Sequence, residues 1–219
     1  MKEYHKIQTI FKRDMSNKGK IMEDTFSEPE FEYLKDNIWV FTEKVDGTNI
    51  RTMWNGKDVI FGGKTDNAQI PTFLFQKLQE IFGGENNKQI FINSFNENNN
   101  QSEEIKVCLY GEGYGAKIQK GGGNYISNGV DFVLIDVKIG DWWLKRDGIE
   151  EIAKKFNLKV VPIIGEGTLK DMIEMTKIGL KSKWGNFMAE GIVAKPLIEL
   201  KTRSGKRIIT KIKHKDFNK

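Results

Sequence analysis

An α+β fold is predicted by two features of this chain: short β-branched and aromatic runs joined by tight-turn signals, and separate stretches of helical periodicity with no internal repeat. Ile38-Trp39-Val40-Phe41 and Ile50-Arg51-Thr52-Met53-Trp54 read as strands, with Asp46-Gly47 as the turn pair between them. Trp54-Asn55-Gly56-Lys57 is a hairpin turn leading into Val59-Ile60-Phe61. Thr72 to Phe82 has the spacing of an amphipathic helix, stopped by Gly83-Gly84. Asn86 to Glu104 is Asn-rich and polar and reads as an exposed insertion, partly helical around Phe91 to Phe95. Further strand runs cover Leu109 to Gly115, Asp131 to Asp136, Ala189 to Lys195 and Ile208 to Lys213, and further helices about Asp147 to Phe156 and Leu169 to Leu180.

The 219 residues, 38% of them hydrophobic, suffice for one large domain or two small lobes, and a single domain over residues 1–219 is the simpler expectation. One cysteine, Cys108, excludes a disulfide framework and fits a reducing, cytoplasmic compartment. The N-terminus lacks the apolar run of a signal peptide, and no stretch is long enough to span a membrane. A net charge of +5 gives mild support for a polyanionic partner. The Lys- and Asn-rich composition suits a phage or an AT-rich genome.

Chemistry is most legible at Glu43-Lys44-Val45-Asp46-Gly47-Thr48-Asn49, where a lysine, carboxylates and a glycine crowd together at the end of a strand. A lysine amine becomes a nucleophile only where neighbouring cations or desolvation help it shed its proton. Cations stand at the far end of the chain: Lys211 and Lys213 alternate with apolar residues, so a strand there points both to one face, where they suit a phosphate. Between the ends, Glu112, Phe132 and Glu190 are each placed in a strand-like run.

Plainer readings accompany these. Lys211 and Lys213 suit an exposed edge strand, Phe132 a packed core, Glu112 and Glu190 turns beside glycines, and Asp136 a strand end. Trp142-Trp143 fits core or edge packing better than a base-stacking platform. Lys44 is the exception, because burying a lysine against Phe41 and Val45 without a purpose is unfavourable. The Gly111 to Gly123 run has neither the spacing nor the helix of a dinucleotide fingerprint and reads as flexible loop; with Lys117 and Lys120 nearby, contact with a nucleic-acid backbone and a mobile linker are equal alternatives. Cys108, His5 and His214 are too few for a zinc site or a triad.

In order, the segments around Lys44, Glu112, Phe132, Glu190 and Lys211-Ile212-Lys213 resemble the five nucleotidyltransferase motifs of the covalent nucleotidyltransferase superfamily of ligases and capping enzymes. Asn49, where DNA ligases commonly carry Arg, makes the RNA ligase 2 branch the nearest resemblance. The resemblance implies a nucleotide pocket between two antiparallel sheets and an ATP-dependent RNA ligase. Lys44 would attack the α-phosphorus of ATP, and AMP would pass to a 5′-phosphate end that is sealed to a 3′-hydroxyl. It implies Glu43 near the adenine, Asn49 near the phosphate, Glu112 on the ribose hydroxyls, Phe132 stacked on the purine, and Lys211 and Lys213 on the AMP phosphate. Glu190, with Asp46 beside Lys44, is the expected site of Mg²⁺ or Mn²⁺. Where the family usually offers an arginine after the first motif this chain has Lys64, which keeps the charge without the bidentate fork, with Arg51 as a substitute.

The expected partners are RNA ends or a nicked duplex. Lys213 lies six residues before Lys219, which leaves no room for a C-terminal oligonucleotide-binding barrel or helical domain, so the expectation is a protein partner or dimer replacing it, or a minimal ligase. Sealing of nicked DNA and a non-catalytic nucleotide- or nucleic-acid-binding module are the alternatives; capping with GTP fits less well without the barrel.

Overall fold

The computed structural model describes residues 3–95 and 106–218. Its first half runs Gln8–Thr9 (β1), Phe11–Asp14 (β2), Lys20–Phe26 (β3), Pro29–Tyr33 (α1), Trp39–Glu43 (β4), Thr48–Trp54 (β5), Val59–Gly62 (β6), Thr72–Phe82 (α2) and Gly84–Phe95 (α3). Its second half runs Val107–Gly115 (β7), Val130–Ile139 (β8), Trp142–Trp143 (β9), Arg146–Lys155 (α4), Lys159–Val160 (β10), Ile163–Gly167 (β11), Leu169–Ile178 (α5), Gly191–Pro196 (β12) and Thr210–Lys213 (β13). This mixture of sheets and helices is the α+β class expected. The elements gather into two compact units, each with its own core and each made from two stretches of chain: Met1–Tyr4 with Asp46–Val161, and His5–Val45 with Pro162–Lys219.

The first unit holds a sheet in the order β10-β8-β7-β5-β6, with β9 on the free part of β8. Its pairs are antiparallel except β10 with β8. One face is apolar because Ile50, Leu109, Phe132 and Leu134 project from it. Helix α2 covers that face with Leu74, Leu78 and Phe82, one stripe at helical spacing, and all three are fully buried. Phe91 of α3 stacks on Trp54 at 5.2 Å and meets Phe156 at 4.6 Å. The polar stretch expected as an exposed insertion therefore begins as a full helix that delivers a core residue; residues 96–105 lie outside the described residues.

The second unit holds a sheet in the order β1-β13-β12-β4-β11, antiparallel except for β1 with β13, and the separate hairpin β2-β3. Alternation along β4 buries Trp39, Phe41 and Glu43 and leaves Val40 and Thr42 half-buried. Helix α5 lays Leu169 and Met172 into this core, and its start is fixed by a capping box between Thr168 and Asp171.

One local expectation changes, that for Asp136, and two are sharpened. The sheets are mostly antiparallel, with one parallel edge pair in each. Asp136 does not end its strand but lies inside β8, buried, and accepts a hydrogen bond from the Tyr4 hydroxyl. Trp143 packs on Tyr4 and Tyr110, whereas Trp142 is 80% exposed. No described helix is long and apolar enough to cross a membrane.

Candidate active site

In the second unit, Lys44 follows β4, and Glu190 and Lys213 bound the β12-β13 ladder. The N–H of Lys44 donates to the Gly191 carbonyl at 2.9 Å, and the N–H of His214 donates to the Glu190 carbonyl at 3.0 Å. Gly191 pairs with Lys213 so closely that a Cβ on it would lie 2.1 Å from the Ile212 carbonyl oxygen. These main-chain ties fix three side chains that lie far apart in sequence, Lys44 and Glu190 being 146 residues apart. The Lys44 Nζ reaches Glu190 Oε2 at 2.6 Å and the Lys213 Nζ reaches Glu190 Oε1 at 2.5 Å. One carboxylate thus carries two ammonium groups. Burial of Glu190 opposes its ionisation, but the Lys44 charge, the hydrogen bonds from Lys213 and Lys44, and the Lys213 charge outweigh burial and hold the carboxyl below its usual range. Lys211 lies two residues before Lys213 on β13, on the same face of the strand.

Glu43, expected near the adenine, is tied to a turn of its own unit. It is 1% exposed, and its carboxylate accepts the Ser182 hydroxyl at 2.5 Å and the Lys183 N–H at 2.8 Å. The Ser182 oxygen in turn accepts the Trp184 N–H at 3.0 Å. The side chain next to Lys44 therefore pins the 182–184 turn, which leads into Glu190. No spacing rule in the sequence links Glu43 to Ser182.

In the first unit, β5, β7 and β8 set Asn49, Glu112 and Val133 side by side, since Asn49 pairs with Glu112 and Glu112 with Val133. Paired residues share a face, so Asn49 and Glu112 stand together on the face away from α2. Asn49 Oδ1 is buried with no hydrogen-bond partner, while its Nδ2 makes a long contact of 3.5 Å to the Gly111 carbonyl. A buried, unanswered acceptor beside a carboxylate suits a polar ligand.

Phe132 does not join them. It pairs with Gly113 on the other face, is 1% exposed, and meets Phe82 edge to face at 5.4 Å. It is a core residue, and stacking on a purine is withdrawn for it because Val133, not Phe132, shares the face of Glu112. Arg51 is also spent: fully buried, it donates to the Gly63 carbonyl at 2.8 Å and pairs with Asp66 at 2.7 Å. It shapes the loop that carries Lys64, whose own side chain is exposed.

Asp46 and Gly47 belong to this first unit. The Asp46 N–H donates to the Tyr125 hydroxyl at 3.1 Å and the Gln119 amide donates to the Gly47 carbonyl at 3.1 Å. The glycine-rich segment, expected as a flexible loop, is thus folded onto the turn after Lys44. Gly47 has no room for a side chain, since a Cβ would lie 2.3 Å from the Gly113 carbonyl oxygen and 2.7 Å from Glu112 Cγ.

Over residues 37–213 the chain matches the RNA ligase family. It belongs to that family. Among solved structures it is similar to a Naegleria gruberi RNA ligase with PPi, at 20% identity and a TM-score of 0.64 over 97% of this chain and 56% of that one. A mutant of the Naegleria gruberi RNA ligase with ATP and Mn matches at 22% identity and 0.62, over 86% and 54%. Another mutant, with AMP and Mn, matches at 20% identity and 0.62, over 96% and 57%. At such identities the likeness establishes the fold, and this RNA ligase family member spans just over half the length of those chains. No curated protein sequence matches it.

Proposed function

We propose that this RNA ligase family member joins RNA ends through an AMP carried on Lys44. The observation that supports this most is the carboxylate of Glu190 shared by Lys44 and Lys213, in a chain of this family. In the first step the Lys44 Nζ, having given up a proton, attacks the α-phosphorus of ATP. A P–N bond forms, the bond from the α-phosphorus to the bridging oxygen breaks, and pyrophosphate leaves. The AMP then passes to a 5′-phosphate end, and attack by a 3′-hydroxyl seals the strand and frees AMP.

The chain's own residues prepare the first step. Glu190 is ion-paired with Lys44, so attack requires that pairing to be given up; Lys213 remains on the other carboxylate oxygen as its partner. Lys211 and Lys213 would face the phosphate charge, and Lys64 would add to it. Asn49 and Glu112 would receive the polar edge of the nucleotide, with the Asn49 Oδ1 supplying an acceptor that has nothing else to bind.

The residues present fit a divalent metal held jointly with substrate. Among the described residues no three His, Cys, Asp or Glu side chains cluster to hold an ion alone. Glu190 is a hard oxygen donor of the kind Mg²⁺ or Mn²⁺ takes alongside phosphate and water, and Asp46 is a second candidate. Bound there, the ion would neutralise charge on the transferring phosphoryl group.

Intact mass after incubation with ATP and Mg²⁺ tests the reading. One added AMP, absent from Lys44→Ala, is expected. No gain from folded protein free of bound AMP would overturn it. RNA-ended and DNA-ended nicks, offered next, are expected to be sealed in favour of RNA.

A further inference from the structure

Between Pro196, the end of β12, and Thr210, the start of β13, the chain forms a second small hairpin. It is closed by the Lys201–Arg207 bridge, by the Thr202 N–H on the Lys206 carbonyl at 2.8 Å and by the Gly205 N–H on the Thr202 carbonyl at 2.9 Å. Gly205 takes a φ of 79°, which this turn needs and a side chain would resist. The Thr202 and Ser204 hydroxyls bond each other at 2.9 Å, and the Thr202 hydroxyl accepts the Lys206 N–H at 3.2 Å. The tip is therefore a defined turn, and it is basic.

Four cations lie in Lys201-Thr202-Arg203-Ser204-Gly205-Lys206-Arg207. Arg207 is buried and held by both oxygens of Glu199, at 2.7 Å each, so it anchors the root of the hairpin. Lys201, Arg203 and Lys206 are exposed and, among the described residues, have no acidic partner. An ordinary solvated surface mixes its signs, as the helices do here: Arg146 pairs with Glu150, Lys155 with Glu151, and Lys170 with Glu174. At the hairpin the nearest carboxylate in the chain is already consumed. Three uncompensated cations on a rigid turn suit a polyanion whose charges recur at short intervals.

We infer that the hairpin 199–207 grips the RNA backbone at a distance from the join, through phosphates met by Lys201, Arg203 and Lys206. This rests on the RNA-joining reading of the Lys44 site. Glu190 and Lys213 stand at one end of the β12-β13 pair and the hairpin at the other. A strand of this length covers about 17–20 Å, so the contact falls on the order of five nucleotides from the join at about 3.4 Å of duplex axis per nucleotide. The hairpin thus acts on substrate arms, not on AMP transfer to Lys44.

The test compares wild type with a Lys201→Ser, Arg203→Ser, Lys206→Ser variant in binding a labelled, 5′-phosphorylated nicked RNA duplex over a range of salt concentrations. The variant is expected to bind about 10- to 100-fold more weakly at about 0.1 M salt, with a log–log salt slope smaller by about two to three. Adenylylation of Lys44 by ATP alone should be unchanged, which also shows the variant is folded. A charge-keeping variant, Lys201→Arg, Arg203→Lys, Lys206→Arg, should bind as wild type. Unchanged affinity and slope would overturn the inference, as would equal loss on a duplex with arms too short to reach the hairpin. A loss confined to DNA of the same sequence would overturn the assignment to RNA. Failure of wild type to take up AMP would sink the reading of the Lys44 site, while the binding comparison would still decide the role of the hairpin.

Discussion

Glu190 is the residue on which the site depends, because it neutralises two lysines whose side chains are only 20% and 26% exposed. Glu190→Gln keeps the shape and removes the charge, leaving two half-buried ammonium groups facing each other; a loss of about 1–3 kcal/mol is expected, read from the urea midpoint. The pH dependence follows from the sign. The folded carboxyl is held below its ordinary value of 4.5, so its stabilisation is fully present above that value and is lost as pH falls through the lower folded value. Wild type should therefore lose stability relative to Glu190→Gln as pH drops below about 4.5, and parallel urea midpoints at about pH 6 and pH 3 check it. Glu43 carries a second prediction: Ser182→Ala leaves one oxygen of a buried carboxylate unanswered, which should lower stability by about 1–3 kcal/mol and slow AMP transfer to Lys44.

At the scale of elements, close strand contact at Gly191 is what sets Glu190 against Lys213. Gly191→Ala would drive a methyl into the Ile212 carbonyl, so β12 must move off β13. The expected outcome is loss of AMP uptake together with a melting temperature lower by at least about 2–4 °C, seen in a thermal scan. Legibility in the sequence followed how local each signal was. Helix α2 runs over the predicted Thr72 to Phe82 because its apolar stripe and its glycine stop are both within the segment. Helix α3 was harder to read, since its asparagines and lysine hide the two positions, Phe91 and Phe95, that reach the core. The meeting of Lys44, Glu190 and Lys213 was legible through motif order. The faces taken by Phe132 and Glu112 were not, because the register shift between Tyr110 and Gly111 lies in the pairing of β7 with β8, not in either strand alone. The partner of Glu43 was not legible for a related reason: Ser182 is 139 residues away.

On the scale of the whole molecule, each unit carries its own core, so a core deletion should lower the stability of the unit that holds it without touching any ligand group. Phe91→Ala removes a fully buried ring that contacts Trp54, Phe82, Phe95 and Phe156. A loss of about 3–5 kcal/mol is expected from urea unfolding. The interleaving of the two units in sequence has a further consequence, for the moment at which activity can first arise. β4, which leads into Lys44, finds its sheet neighbours in β11 and β12, so on the ribosome Lys44 emerges long before Glu190 and Lys213. A polypeptide broken off between Lys44 and Glu190 carries Lys44 without the two side chains, Glu190 and Lys213, that cluster with it. If Lys44 takes up AMP as proposed, prematurely terminated chains would lack the groups that complete its site.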